Sequence, residues 1–382
     1  MSSALFQPLQ VGAIRLKHRI VMAPLTRMRA VPPGNLPGPL APLYYAQRAS
    51  DGGLLIAEAS PVCLEAHGHP DVPGIYSDAQ AAAWRRVTQA VHERGGAIFL
   101  QLWHTGRVSH SRYQPDGRPP PAPSAVPAEG ELLLPNAERV PYEVPREMTL
   151  AEIREIIDVF HRAARRAIEA GFDGVELHAA NGYLIEQFLQ SRSNLRSDAY
   201  GGSIAHRVRF LIEVTEALAA ACSADRVGVR LSPFGIANGS GEDDPFPLYR
   251  QAIEALAPLR LAYLHLIEPR TSGTGKTDAI RADQPSAAGL YRRHWPGALI
   301  AAGGFDPAGA ERIVGEGFAD AVAFGRHFIA NPDLPARIRL GAPLNPYHRP
   351  TFYGGGAVGY VDYPMLQQHG PDDLSGLARR TS

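Results

Sequence analysis

The sequence predicts an α/β fold, a single (β/α)8 or TIM barrel, from two observations. Short runs rich in Val, Ile, Leu and Phe recur along the chain, each with the length of a buried strand. Helical patterns lie between them, and strands that alternate with helices indicate a parallel sheet, either doubly wound or closed. The count of eight runs favours a closed barrel. The runs span residues 19–23, 53–59, 97–102, 174–178, 227–231, 262–267, 298–303 and 320–325.

The helical segments between these runs begin with capping patterns. Thr149 and Glu152 fit a capping box, in which two side chains satisfy free backbone N–H groups of the first turn. Apolar residues at helical spacing follow this box. Asp306 and Pro307 begin another helix, as an N-cap residue followed by Pro at the first helical position. We therefore expect helices to separate the strands.

The whole chain, residues 1–382, is predicted to form one domain with an N-terminal extension before the first strand. One connection is unusually long. Residues 108–145, which follow the third strand, are rich in Pro and lack a helical period. We expect this excursion to cross the mouth of the barrel, and a hairpin could form within it.

The composition excludes several classes of protein. Lys plus Arg and Asp plus Glu both number 38, so the net charge is zero and offers no basic surface for nucleic acid or an anionic membrane. No run approaches the roughly 18 apolar residues that a membrane-spanning helix needs, and the first ten residues do not resemble a secretory signal. Cys63 and Cys222 are too few for an iron–sulfur cluster or a tetrathiolate zinc site. We expect a reduced, cytoplasmic protein without a nucleic-acid or membrane partner.

Three motif-like segments carry little weight. Residues 354–359 match GxGxxG, but they follow no predicted strand and open no helical pattern. Residues 275–277 resemble the end of a phosphate loop, but Arg270 stands where the first Gly is required. His67, His69 and Asp71 resemble a metal cluster, yet the Pro and Gly residues around them indicate a loop. No metal site is predicted.

Chemically useful side chains gather where the predicted strands end. His178, Asn181 and Tyr183 follow the fourth strand, and an imidazole N–H with an amide N–H₂ could polarise one carbonyl or nitro oxygen. Tyr183 adds a phenol that stays protonated at neutral pH and can deliver a proton. The structural alternative is a satisfied core His, an N-cap Asn and a packing Tyr. Because the three follow one barrel strand, we favour the functional interpretation.

A second group follows the seventh and eighth strands. Gly303-Gly304 and Gly325-Arg326 occupy the corner of a barrel that often holds a phosphate, although Gly pairs also form ordinary turns.

Arg230 lies at the end of an otherwise apolar strand, so it needs an acceptor or an anionic partner. That partner could be Glu58, Glu268 or a cofactor.

Several longer motifs extend over nearly the whole chain. They lie at residues 23–27 (APLTR), 44–48 (YYAQR), 101–107 (QLWHTGR), 178–184 (HAANGYL), 194–202 (NLRSDAYGG), 324–326, 331–333, 352–353 and 359–360. In these motifs the chain resembles the old yellow enzyme family of flavin-dependent ene-reductases. Within that family it is most similar to the bacterial N-ethylmaleimide reductases and pentaerythritol tetranitrate reductase-type enzymes.

The resemblance implies a barrel that holds FMN non-covalently at its C-terminal face. Pro24, Leu25 and Thr26 would lie against the flavin ring, with the Thr26 hydroxyl near the C4 carbonyl. Ala59 would give a backbone contact, Gln101 would bind the pyrimidine edge, Arg230 would lie by N1 and the C2 carbonyl, and Gly303, Gly304, Gly325 and Arg326 would hold the phosphate.

The resemblance also implies a ping-pong reaction. NADPH or NADH would deliver hydride to N5 of FMN, and Cβ of an α,β-unsaturated carbonyl, maleimide or nitroalkene would then receive it. His178 and Asn181 would bind the activating oxygen, and Tyr183 would protonate Cα. Trp103, Tyr353 and His69 would shape the pocket, and His69 stands where close relatives commonly have Tyr. A monomer or homodimer would suffice.

Two other functions are compatible with a barrel of this kind. A flavin-free barrel such as a phosphosugar lyase or isomerase could use the same phosphate corner, but no strand run contains the Lys that a Schiff-base lyase needs. A barrel that only binds a ligand would not need the trio of His178, Asn181 and Tyr183.

Overall fold

A computed structural model describes residues 3–269 and 285–366 of the chain, and the predicted barrel is confirmed. Eight parallel strands close in sequence order, so that the last strand pairs with the first. They are β1 (Ile20–Met22), β2 (Leu54–Pro61), β3 (Ala97–Trp103), β4 (Gly174–Ala179), β5 (Val227–Leu231), β6 (Tyr263–Ile267), β7 (Leu299–Ala302) and β8 (Ala321–Phe324). Each lies on one of the predicted runs.

Helices connect the strands and cover the outside of the barrel. They are α1 (Ala41–Arg48), α2 (Asp78–His92), α3 (Leu150–Glu169), α4 (Leu184–Leu189), α5 (Ile204–Cys222), α6 (Pro245–Leu256), α7 (Ala287–Tyr291), α8 (Pro307–Gly315), α9 (Arg326–Ala330) and α10 (Leu334–Leu340). Within the described ranges, no helix is both long and apolar enough to cross a membrane.

Both predicted helix starts are confirmed. The Glu152 backbone N–H donates to the Thr149 hydroxyl (3.2 Å), and the Thr149 N–H donates to the Glu152 carboxylate (2.8 Å). The carboxylate of Asp306 accepts from the N–H of Gly309 (2.7 Å), and Pro307 is the first residue of α8. These local bonds satisfy N–H groups that have no partner inside the helix.

The N-terminal extension closes one end of the barrel. It forms a hairpin of strands Leu9–Val11 and Ile14–Leu16, and the backbone N–H of Ala13 donates to the carbonyl of Asp225 just before β5 (3.0 Å). The buried side chains of Val11 and Leu16 belong to the same apolar cluster as the side chains inside the barrel. The C-terminal ends of the strands remain available for a site.

The long connection after β3 forms a second hairpin, Glu131–Leu133 with Arg139–Pro141, beside the mouth of the barrel. A short strand, Pro121–Ala122, pairs with Arg146–Glu147 and ties the connection to the start of α3. That residues 1–382 form a single domain stays a prediction.

Two of the three motif-like segments lie in the described parts of the chain. Residues 354–359 form bends and turns with no strand before them. Residues 275–277 lie outside the described residues. In the described parts of the chain, no group of three His, Cys, Asp or Glu side chains could hold a metal ion, and the His67 ring binds the hydroxyl of Tyr76 (3.0 Å).

Candidate active site

A cavity of about 420 Å³ lies at the C-terminal end of the strands. Its volume falls within the range of small-molecule sites. Every residue predicted from the sequence to form the site lines this one cavity. They are Pro24, Leu25, Thr26, Ala59, His69, Gln101, Trp103, His178, Asn181, Tyr183, Arg230, Gly303, Gly304, Gly325, Arg326 and Tyr353. The structure therefore brings the predicted residues together, whereas the function of this cavity and the role of each residue stay predictions.

The end of β4 brings the catalytic candidates together. His178 is in the strand, and Tyr183 is the residue immediately before α4. Their rings lie 4.9 Å apart in an edge-to-face arrangement, and the ring of Trp103 lies 4.8 Å from that of Tyr183. Between them, Asn181 and Gly182 both have left-handed backbone conformations, with φ of 59° and 77°. This tight turn directs Asn181 and Tyr183 into the cavity that His178 also lines.

Burial sets the protonation states of this group. Desolvation, together with the nearby Arg230 and His265, holds the pKa of His178 well below its usual value. Its imidazole is therefore neutral at pH 7, with one ring N–H available to donate. Desolvation, with smaller contributions from Tyr142 and Tyr353, raises the pKa of Tyr183, so that its phenol is protonated. Both side chains can donate a hydrogen to a ligand.

The ion-pair partners suggested for Arg230 were wrong. Among the described residues neither Glu58 nor Glu268 pairs with it: Glu58 accepts from the backbone N–H of Arg27 (3.1 Å), and Glu268 binds the first turn of α7. The carboxylate that influences Arg230 most is that of Glu176. Arg230 is buried, and within the described structure its Nε has no hydrogen-bond partner. A buried donor of this kind is suited to an acceptor on a ligand.

Glu176, which the sequence reasoning did not single out, organises the floor of the cavity. Its carboxylate accepts from Nε2 of Gln101 (2.7 Å) and bonds with Nδ1 of His265 (2.8 Å). Burial alone would raise the pKa of Glu176, but His265, Arg230 and Gln101 outweigh it and lower the pKa below its usual value. Because Nε2 of Gln101 is used by the carboxylate, its Oε1 is left to accept from a ligand. The only signal in the sequence was a Glu inside an apolar strand.

Gly303, Gly304, Gly325 and Arg326 form one corner of the cavity, here called the glycine corner, in which backbone faces the cavity. Gly303 and Gly304 have φ of 115° and 66°, a region that residues with a side chain rarely adopt. A Cβ on Gly325 would lie 3.3 Å from Cδ2 of Leu25, closer than most such contacts. Arg326 begins α9 beside them, with its guanidinium 5.6 Å from the ring centre of Tyr347. Backbone N–H groups and a cation therefore meet at one end of the cavity.

A family profile described as the NADH:flavin oxidoreductase / NADH oxidase family matches residues 4–345 of this chain.

The chain belongs to this family.

Curated relatives and solved structures agree with this assignment. The chain is 45% identical over 368 residues to 12-oxophytodienoate reductase 1 of Oryza sativa subsp. japonica, covering 95% of this chain and 93% of the relative. It is 43% identical over 367 residues to 12-oxophytodienoate reductase 2 of Arabidopsis thaliana, covering 96% of each.

Two solved structures have the same fold along nearly their whole length. Morphinone reductase superposes with a TM-score of 0.89 at 45% identity, covering 96% of this chain and 98% of that one. The old yellow enzyme homologue of Zymomonas mobilis superposes with a TM-score of 0.89 at 42% identity, covering 95% and 99%. The resemblance to the old yellow enzyme family is confirmed, and the protein is an FMN-dependent NADH:flavin oxidoreductase of the ene-reductase type.

The residues of the cavity fit the flavin of this family. An apolar wall from Pro24 and Leu25 suits the faces of a ring, and the free oxygen of Gln101 suits an N–H edge. The unpartnered Nε of Arg230 suits an electron-rich edge, and the glycine corner with Arg326 suits a phosphate. The donor set therefore matches FMN in charge and in hydrogen-bond type.

Several lining residues were missed by the sequence reasoning. They are Ala23, Met28, Glu131, Leu132, Leu133, Arg139, Tyr142, Asn238, Phe305, His327, Ile329, Arg349 and Phe352, together with strand residues of β6 to β8. Most of them come from connections that are distant in sequence, including the hairpin that follows β3. These connections have no periodicity, so no signal in one sequence shows which of their side chains reach the cavity.

Proposed function

We propose that this enzyme is an ene-reductase that transfers hydride from NADPH or NADH to electron-poor alkenes in a ping-pong reaction. The observation that carries the proposal is made at the end of β4. There a neutral His178, Asn181 and a protonated Tyr183 line the same cavity as the residues that fit the flavin. Substrates of this chemistry are α,β-unsaturated carbonyls, maleimides and nitroalkenes. The names of the relatives, 12-oxophytodienoate reductase and morphinone reductase, support a substrate that carries a carbonyl oxygen.

The side chains at the end of β4 would activate the alkene. His178 and Asn181 would each donate a hydrogen bond to the oxygen of the substrate, which withdraws electron density from Cβ and makes that carbon a better hydride acceptor. Bound FMN would supply the two-electron chemistry, taking hydride from the nicotinamide and giving it to Cβ. Tyr183 would donate its phenolic proton to Cα and recover a proton from solvent. The alkene thus gains one hydride and one proton.

The remaining residues would hold the cofactor and shape the pocket. Pro24, Leu25, Thr26, Ala59 and Gln101 would bind the flavin ring, Arg230 would bind its N1 and C2-carbonyl edge, and Gly303, Gly304, Gly325 and Arg326 would bind the phosphate. Trp103, His69 and Tyr353 would shape the pocket. The His69 ring stacks on that of Trp103 at 5.4 Å and lies 6.5 Å from that of Tyr183, which supports a place beside the substrate.

The choice of nicotinamide and the setting of the enzyme are part of the same proposal. A solved complex of morphinone reductase with tetrahydroNAD supports a nicotinamide donor. We expect a cytoplasmic monomer or homodimer with no nucleic-acid or membrane partner, in line with the zero net charge and two unpaired cysteines. Light scattering after size exclusion would measure the oligomeric state.

The test is the visible spectrum of the purified protein. We expect a yellow protein that NADPH or NADH bleaches under anaerobic conditions and that cyclohexenone then recolours. A colourless protein that does not take up FMN would favour a flavin-free barrel. A yellow protein that reduced nicotinamides do not bleach would favour a binding protein. A bleached protein that no activated alkene recolours would contradict the ene-reductase proposal.

A further inference from the structure

A carboxylate behind the turn at the end of β4 has no place in the proposed chemistry so far. Glu186 lies on α4, is fully buried, and in the described structure has no hydrogen bond or ion pair with a Lys, Arg or His side chain. Three donors converge on it instead. They are the backbone N–H of Gly182 (2.5 Å), the hydroxyl of Ser232 (2.5 Å) and the hydroxyl of Tyr249 on α6 (2.7 Å).

These bonds hold the backbone of the turn after β4 at two successive residues, Asn181 and Gly182. Glu186 binds Gly182 directly, and the Ser232 hydroxyl accepts from the backbone N–H of Asn181 (2.9 Å). Both residues have left-handed conformations, which cost roughly 1 kcal/mol or more for a residue with a side chain such as Asn. The turn that presents Asn181 and Tyr183 therefore depends on bonds made from outside it.

The charge of Glu186 matters for this arrangement. As a carboxylate it accepts all three hydrogens. Protonation adds a hydrogen to one carboxyl oxygen, and none of the three donors can accept it as they are oriented. The N–H of Gly182 can only donate, so one of the two hydroxyls has to turn around for that hydrogen to be bonded. The Ser232 and Tyr249 hydroxyls are already bonded to the N–H of Asn181 and to the Gln190 amide. Protonation would therefore disturb the network that reaches the turn.

We propose that Glu186 is a positioning residue, which as a carboxylate holds the turn of Asn181, Gly182 and Tyr183 in place for alkene reduction and releases it when protonated. The inference rests on the proposed function of Asn181 and Tyr183. It concerns the geometry of those two residues, since Glu186 itself does not line the cavity.

Apart from Tyr249, the described ionisable groups on the elements around Glu186 do not pair with it. Burial and the three hydrogen bonds to its carboxylate therefore govern its titration. Tyr249 faces it from α6. On the neighbouring elements, Arg207 of α5 pairs with Glu242 (2.7 Å), and Arg230 of β5 lies beside Glu176.

Burial, opposed in part by Ser232, Tyr249 and Gly182, raises the pKa of Glu186 to about 7. The carboxylate form dominates above this pH, so alkene reduction should fall as the pH drops through about 7.

The sharpest test is Tyr249→Phe, because it removes one donor to Glu186 without touching the cavity. Loss of that hydrogen bond raises the pKa of Glu186. The acid limb, which is the fall in the rate of alkene reduction as the pH drops, should therefore move to higher pH by about one unit. Single-turnover reoxidation of the reduced holoenzyme by cyclohexenone, followed across pH, measures the limb. A residue that is merely structural would lower the rate at every pH without moving the limb.

Glu186→Gln is the complementary variant. The amide cannot accept from all three donors, so reoxidation by cyclohexenone should slow about 10- to 100-fold and lose its acid limb. Glu58→Gln is the matched control, because burial also raises the pKa of Glu58 to about 7, although it supports Arg27 elsewhere. That variant should keep the limb. FMN content and thermal unfolding should confirm that each variant is folded and loaded.

Infrared titration of the buried carboxyl band separates this inference from the proposed function. Glu58 is a second buried carboxyl with its pKa raised to about 7, so the titration is followed in the Glu58→Gln background. There the band should titrate, disappear when Glu186→Gln is added, and titrate at higher pH when Tyr249→Phe is added. If the band behaves so but cyclohexenone is not reduced, the proposed function fails while the titration of Glu186 stands. If alkene reduction proceeds and Tyr249→Phe keeps the wild-type limb, or Glu186→Gln keeps the wild-type rate, the inference is overturned.

Discussion

At the scale of single residues, Tyr183 is the most direct test of the proposed proton transfer. Tyr183→Phe keeps the ring that packs against His178 and Trp103 and removes only the phenolic hydroxyl. Because general acid catalysis contributes about 10²- to 10⁴-fold, alkene reduction should slow by that factor while flavin reduction by NADPH stays nearly unchanged. Stopped-flow measurement of the two half-reactions checks both values. Unchanged alkene reduction would mean that Tyr183 is not the proton donor.

Arg230 tests the fit of the cofactor. Its buried guanidinium has an Nε without a partner in the described structure, and a charge-assisted hydrogen bond contributes about 1.5–3 kcal/mol. Arg230→Gln should therefore weaken FMN binding by about 10- to 100-fold, as titration of the apoprotein followed by flavin fluorescence would show. Arg230→Lys keeps the charge and should lose less. Equal FMN affinity in all three proteins would remove Arg230 from the flavin site.

The contact between Arg230 and Glu176 shows which part of the site could not be predicted from the sequence. The strand that carries Arg230 and the cavity that Arg230 lines were predictable, because the C-terminal ends of barrel strands converge. The register was not: Arg230 pairs with His178 of β4, and Glu176 lies two residues earlier on the same face of that strand. Glu58 was an equally reasonable partner in sequence, but it lies on β2, which is not adjacent to β5.

At the scale of elements, strands were more predictable than short helices. The barrel strands are buried along their length and read as continuous apolar runs, so each was found within about two residues. α4 and α9 have six and five residues, too few for a helical period to appear. β2 also has a bulge between Ala57 and Ser60, and this bulge contains Ala59, which lines the cavity. Nothing in the sequence predicts it.

The capping box of α3 gives a prediction at this scale. α3 is a 20-residue helix that packs against α5, and the Thr149 side chain accepts from the N–H of Glu152. Loss of such a cap costs about 1 kcal/mol, so Thr149→Ala should lower the free energy of unfolding by that amount. Urea unfolding measures it, and FMN affinity should be unaffected. Thr149→Ser keeps the hydroxyl and should be close to wild type, whereas equal stability of the Ala variant would show that the cap contributes nothing.

At the scale of the whole molecule, buried titratable groups should make stability depend on pH. Burial lowers the pKa of a set of histidines: to about 4 for His18 and His67, to about 3 for His104, and in the same direction for His178 and His265. The folded protein keeps these rings neutral while the unfolded chain protonates them below about pH 6.5. Their contribution to stability is therefore lost as the pH falls below that value.

Two buried carboxyls act in the opposite direction. Burial raises the pKa of Glu58 and Glu186 to about 7, so between about pH 4.5 and 7 the folded protein holds protons that the unfolded chain does not. Their contribution increases as the pH falls. Because the histidines outnumber them, the free energy of unfolding should decrease from about pH 6.5 to about pH 5, by about 1.4 kcal/mol per pH unit for each net proton.

Urea unfolding at a series of pH values, with FMN held at one saturating concentration, checks this balance. Matched variants should change the slope in opposite directions. His104→Gln removes a histidine that stays neutral when buried, so the loss of stability toward pH 5 should become shallower. Glu186→Gln removes one of the opposing carboxyls, so the loss should become steeper. Stability that stays constant or rises toward pH 5 in the wild-type protein would show that the buried histidines do not control its response to acid.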